Sequence, residues 1–152
     1  MSITFGFAAL TLPGLADPAI AIAASRAGAV GILDVSFVHD EQRAIHAVSK
    51  LAEFARHRCG VRLDPFGEAT ADAVISTLPP AVNLAILTAP DHDLLRRQAE
   101  LLRARDVELW LEATTLEEAR VAGALGFDVV VAKGHEAGGR VGETTTFVLL
   151  QQ

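Results

Sequence analysis

Short apolar runs alternate with amphipathic stretches along the whole of this 152-residue chain. The runs fall at about Ile3 to Ala9, Ala29 to Val35, Gly60 to Leu63, Val82 to Thr88, Val107 to Glu112 and Phe127 to Ala132. Each is nearly continuous apolar sequence at its centre, the pattern of a strand covered on both faces. Helices are predicted between them, near Asp17 to Ala27, Asp40 to Arg58, Glu68 to Leu78, Asp91 to Arg105 and Leu116 to Leu125. Strands alternating with helices specify an α/β fold, a parallel sheet with helical crossovers. Local punctuation agrees. Asp17-Pro18 places an N-cap before a proline suited to a first helical turn, and Thr115-Leu-Glu-Glu118 has capping-box spacing. Gly28 and Gly126 directly follow helical runs, where a left-handed residue closes a helix. No linker or low-complexity tract interrupts the pattern, so residues 1–152 read as a single domain built on a β/α repeat of roughly 25 residues.

Six strands fit either an open doubly wound sheet or the first six units of a barrel. Length favours the open sheet, because a complete eight-unit barrel takes about 250 residues. Motifs favour the barrel. The first β/α turn, Ala8-Ala-Leu-Thr-Leu-Pro-Gly14, lacks the glycine fingerprint of a dinucleotide fold, and no Walker sequence is present. Residues Thr145 to Gln152 read as the start of a further helix. The fold expected is a partial TIM (β/α)8 barrel of about six β/α units, a fragment or isolated part of a longer barrel protein. A self-contained flavodoxin-like domain is the rival.

Composition narrows the partners. The net charge of −6 includes no basic run, and aromatic residues are few, with no Tyr and one Trp; nucleic acid is excluded as an expected partner. Cys59 is the sole cysteine, which rules out an internal disulfide or cysteine cluster and suits a reducing compartment. Its expected place is that of a small residue leading into a strand. The start, Met1-Ser-Ile-Thr-Phe5, has no basic region and apolar core of a signal peptide, and no apolar run reaches the roughly 18 residues of a membrane helix. A cytoplasmic location is expected. His39, His46, His57 and His92 lack metal-ligand spacing and are expected at the surface; no metal site is indicated.

The segment Gly134-His-Glu-Ala-Gly-Gly-Arg-Val-Gly142 directly follows the sixth apolar run. A parallel strand delivers its carboxyl end to the ligand-binding side of such folds. Gly134, Gly138, Gly139 and Gly142 remove side chains, letting backbone amides approach a flat ring or an anion. Arg62 and Asp64 end the third run, and Glu112 and Thr114 the fifth; all four are placed to rim the same mouth.

The glycine segment resembles the Gly-x-Glu-Ala-Gly-Gly-His-x-Gly signature of the nitronate monooxygenase (2-nitropropane dioxygenase) family, shared with flavin-dependent enoyl-ACP reductases. Ala16 to Leu33, with Ala-Ser-Arg-Ala-Gly-Ala-Val-Gly-Ile-Leu, is similar to the segment after that family's first helix, and Leu109 to Arg120 resembles its fifth strand and helix. The ending Gly-Glu-x-Thr-Thr-Phe-Val-Leu-Leu-Gln resembles the variant embedded in polyketide-synthase-type proteins. The resemblance implies an FMN-binding barrel with the isoalloxazine across the strand ends. It implies cofactor contacts from Lys133, Gly134, Glu136, Ala137, Gly138 and Gly139, with Glu136 orienting the loop through backbone hydrogen bonds. Lys133 stands where the family carries a glutamine near the flavin pyrimidine.

Arg140 stands where the family carries histidine. A guanidinium stays protonated and cannot act as a base at neutral pH, so nitronate oxidation is not the expected outcome. Arg140 is instead a candidate for holding a carboxylate, a phosphate or a developing oxyanion, and His135 for replacing the missing base. The expected function is an FMN-dependent oxidoreductase acting on a small-molecule or carrier-protein-bound acyl substrate. Its expected partners are the remaining barrel units or further synthase domains, with self-association of the open sheet edge. The alternative is a catalytically degenerate barrel that binds a ligand or scaffolds its neighbours.

Overall fold

A computed structural model describes residues 6–63, 68–88 and 91–152. Six strands alternate with six helices: β1 Ala8–Leu10, α1 Ala19–Arg26, β2 Val30–Asp34, α2 Glu41–Phe54, β3 Cys59–Arg62, α3 Glu68–Thr77, β4 Leu84–Thr88, α4 His92–Arg103, β5 Glu108–Ala113, α5 Leu116–Ala124, β6 Val129–Ala132 and α6 Thr146–Leu149. All pairings are parallel, and the strands lie side by side in the order of the chain. That order decides between the two architectures. A doubly wound sheet of the flavodoxin type reverses direction after its first strands, whereas this one advances one neighbour at a time, as a barrel wall does. The flavodoxin-like alternative is therefore overturned, and the six units form a curled partial (β/α)8 barrel.

The two faces of the sheet carry separate cores. Leu33, Val61, Ala85, Leu87, Leu109 and Leu111 point outward and pack with Ala44, Val48, Leu51, Leu95, Ala99 and Leu102 of the helices. Ile32, Leu84 and Ile86 point inward, against Val30 and Trp110. Continuous apolar runs are thus required by burial on both faces.

Caps set the helix ends. Asp40 Oδ1 accepts from the Arg43 amide at 3.1 Å, and Asp91 Oδ1 from the Asp93 and Leu94 amides at 2.9 Å. Asp17 Oδ1 accepts from the Ala19 amide at 3.0 Å, and Gly28 and Gly126 close their helices with φ of +86° and +70°. The second helix ends at Phe54 rather than at Arg58. Ala55 turns extended, and the Arg56 and His57 amides donate to Oγ of the buried Ser25 at 3.1 and 2.9 Å. A tertiary contact with α1 thus replaces the last helical turn. The first strand starts at Ala8; its expected residues Ile3, Thr4 and Phe5 lie outside the described residues. Cys59 opens β3, buried, with Sγ donating to the Ala81 carbonyl at 3.3 Å; burial pushes its thiol pKa up.

Among the described residues the sheet is not closed on itself. Each of β1 and β6 pairs there on one side only, and large apolar side chains stand exposed at Phe7 and Val130 and, at α6, at Phe147 and Leu150. Among the described residues no helix is long and apolar enough to cross a membrane.

Candidate active site at the strand ends

The carboxyl ends of all six strands converge on one cavity of about 340 Å³, lined from Leu10 at the end of the first strand to Arg140 after the sixth. Its floor is a row of charges. Asp34 ends β2 and is paired in register with Arg62, which ends β3. The Arg62 guanidinium donates from Nε to Glu112 Oε1 at 3.0 Å and from Nη2 to Glu112 Oε2 at 2.9 Å, a two-pronged bond that fixes its plane. Its Nη1 reaches Asp34 Oδ2 at 3.2 Å and the Ser36 hydroxyl. Lys133 extends the row, its Nζ standing 3.4 Å from Glu112 Oε2. Asp34 is further held by Ser36, whose amide donates to Oδ1 at 2.8 Å. Charges so deeply placed persist only when paired and hydrogen-bonded.

The lip of the cavity is the loop Gly134 to Gly142. Two of its glycines are required by packing. A Cβ on Gly134 would collide with the Thr146 amide nitrogen, and one on Gly142 with the Thr114 carbonyl oxygen. The loop is sewn to the residues that follow it: the Gly134 amide donates to Thr146 Oγ1 at 2.9 Å, and the His135 amide to the Thr144 carbonyl at 2.9 Å. Glu136 Oε1 accepts from the Thr146 amide at 2.8 Å. Hydrogen bonding to Thr146, first from its side chain, holds the Glu136 carboxyl below its ordinary value. Gly139 has a φ of +75°, whereas Gly138 is open, with nothing near the place a Cβ would occupy.

Arg140 pairs with Glu118 through both terminal guanidinium nitrogens. This carboxylate holds the last position of the Thr115–Glu118 capping box. The Thr115 hydroxyl does accept from the Glu118 amide, at 3.2 Å, but the reciprocal bond is redirected. Glu118 Oε2 accepts from the Thr114 amide at 2.7 Å and the Thr114 hydroxyl at 3.0 Å. Burial by itself pushes the Glu118 carboxyl up; bonds from Arg140 and Thr114, together with the Arg140 charge, outweigh it and hold the carboxyl below its usual value.

No family model matches the chain, and no curated protein does. Solved structures do. FabK from Thermotoga maritima matches with a TM-score of 0.75 at 25% identity over 93% of this chain and 45% of its own. Nitroalkane oxidase from Streptomyces ansochromogenes matches with a TM-score of 0.66 at 22% identity, over 88% of this chain and 48% of its own. The fold of this chain is shared with FabK and nitroalkane oxidase over most of its length. The chain spans about half the length of the structures it matches.

In this half-barrel four of the expected site residues, Lys133, Gly138, Gly139 and Arg140, line the cavity. Gly134 is buried under the loop, and Glu136 ties the loop to α6. His135 and Glu136 are exposed and outside the lining, as is the half-buried Ala137. Arg62 and Glu112 form the floor. Thr114 is buried against Glu118 rather than at the cavity, and Asp64 lies outside the described residues. Asp34, Thr88, Thr11 and Phe37 line the cavity without having been expected there. A signal existed for Asp34, a carboxylate at the carboxyl end of an otherwise apolar strand.

Proposed function

We propose that the chain supplies most of an FMN site in a flavin-dependent oxidoreductase, with a small-molecule or carrier-bound acyl substrate meeting the flavin over the strand ends. One observation carries this reading: the open backbone at Gly138 and Gly139 shares a single cavity with strand-end residues Arg62, Thr88, Glu112 and Lys133.

The residues present fit such a group. A Cβ at Gly138 would fill the space through which a flat ring approaches the loop backbone, and glycine leaves it clear. Lys133, anchored by Glu112, brings a cation to the strand ends, suited to negative charge on the pyrimidine side of a reduced ring. When bound, FMN supplies reversible electron transfer to and from an organic substrate. The chain's own part is positioning. Glu136, Thr144 and Thr146 hold the loop in place, and Arg140 donates hydrogen bonds to a substrate oxygen. For His135, proton transfer requires the exposed imidazole to turn toward the cavity when ligand binds. Its test is His135→Ala: turnover falls with flavin still bound, whereas unchanged kinetics remove it from the mechanism.

FMN titration followed by flavin fluorescence tests the reading, on this chain and on one extended by two further β/α units. A stoichiometric yellow complex with the extended chain is expected, with weak or no binding by the chain alone, since such barrels grip phosphate after strands seven and eight. Failure of the extended chain to bind flavin overturns it. The embedding in a synthase-type protein and association through the open edges belong to the same proposal.

A second reading, a barrel that binds ligand without turnover, is favoured by the Glu118–Arg140 pair in the place of the family histidine. It predicts that Arg140→His leaves nitronate oxidation absent; its appearance in that variant would exclude this reading.

A further inference from the structure

Phe37 holds a φ of +59°, a region that bulky L-residues occupy only under strain. Its side chain is 60% exposed and still borders the strand-end cavity. The strain therefore secures no burial for the ring, and a glycine would suit the backbone better. Anchors on either side hold the residue where it is. The Gly14 amide donates to the Ser36 carbonyl at 2.8 Å, the Val38 amide to the Val35 carbonyl at 3.2 Å, and the Ser36 amide and hydroxyl are bound into the Asp34–Arg62 row. The site's own charge network thus fixes the loop that carries the ring.

On the side of β1 and β2 the cavity lining carries Leu10, Pro13 and Phe37, an apolar group beside the polar Thr11 and Asp34; the side chains that line it after β6, Lys133 and Arg140, are charged. We propose that Phe37 is a specificity-determining residue, its ring forming the apolar wall for the hydrocarbon part of a substrate whose polar oxygen is met by the β6 loop. The proposal rests on the preceding reading only in taking this cavity as the substrate site. The anchors on either side hold the strained backbone, and the ring's place at the cavity is what that conformation sets.

Titration of the chain with butanamide, hexanamide and octanamide, followed by NMR shift changes, tests the proposal, with FMN binding measured on the same samples by flavin fluorescence. Wild type is expected to bind about two- to fourfold more tightly for each added methylene. Phe37→Ala and Phe37→Gly flatten that dependence, with a loss of roughly tenfold for octanamide, and Phe37→Trp preserves it. Phe37→Gly melts at a higher temperature than Phe37→Ala, because only glycine relieves the backbone. An unchanged chain-length dependence in both truncated variants overturns the proposal, as does its absence in wild type. If the amides bind with the expected dependence but FMN does not bind even the extended chain, the flavin reading fails and the role of Phe37 stands. If FMN binds and the dependence ignores residue 37, the role of Phe37 fails alone.

Discussion

Two arginine–carboxylate constellations serve the same cavity and are built differently. Arg62 lies on the floor, its side chain 9% exposed, clamped between the carboxylates of Asp34 on β2 and Glu112 on β5. Arg140 lies on the lip, its side chain 31% exposed, bound to a helix carboxylate from a loop that glycines shape. The floor takes its geometry from strand register, so its members move only if the sheet does. The lip depends on a few contacts to α5 and α6. Strand-end charges here serve chiefly the architecture, and the softer loop is where chemistry can be adjusted.

Removing the floor arginine is the most severe way to break this contrast. Arg62→Ala strands Asp34 and Glu112 without their shared partner, and a loss of about 3–5 kcal/mol in unfolding free energy is expected by denaturant titration. A loss under about 1 kcal/mol would place floor and lip in one class. Next comes Gly134→Ala, whose methyl group meets the Thr146 amide; about 1–3 kcal/mol is expected, with flavin binding lost.

Glu118→Gln tests the lip directly and costs about 1 kcal/mol at neutral pH. Because the folded carboxyl titrates below its unfolded value, its contribution is fully present above the ordinary glutamate range. It disappears as pH falls through the folded value. Stability curves of wild type and Glu118→Gln measured from pH 7 downward should therefore converge in acid; a constant gap would assign the loss to shape rather than charge. The smallest effect is that of Gly138→Ala, below about 0.5 kcal/mol in stability, with flavin affinity nonetheless falling. Equal losses at Gly134 and Gly138 would erase the distinction between a packing glycine and a ligand-facing one.

The alternation of apolar runs and helices made the β/α order legible because two-face burial leaves little room for polar residues in the inner strands. Strand order was not legible, since an open sheet and a barrel wall bury the same runs; only the pairing β1 to β6 in chain order separates them. At the site, the glycine loop announced itself by composition. Glu118 did not: its capping-box spacing concealed a carboxylate that turns away from Thr115 toward Thr114 and Arg140. Phe37 was equally hidden, because nothing in a local sequence marks a phenylalanine whose backbone is left-handed. The C-terminal end of α2 was misplaced for a similar reason, the deciding partner being Ser25 on another helix.

At the mouth, Arg62, Lys133 and Arg140 are matched by Asp34, Glu112 and Glu118, so these six charges cancel in a chain whose overall charge is −6. The paired cations therefore add little attraction of their own for an approaching anion. Any dependence of encounter rates on ionic strength follows from the charge of the whole chain. Selection is left to contact distances, where shape and donated hydrogen bonds decide what stays.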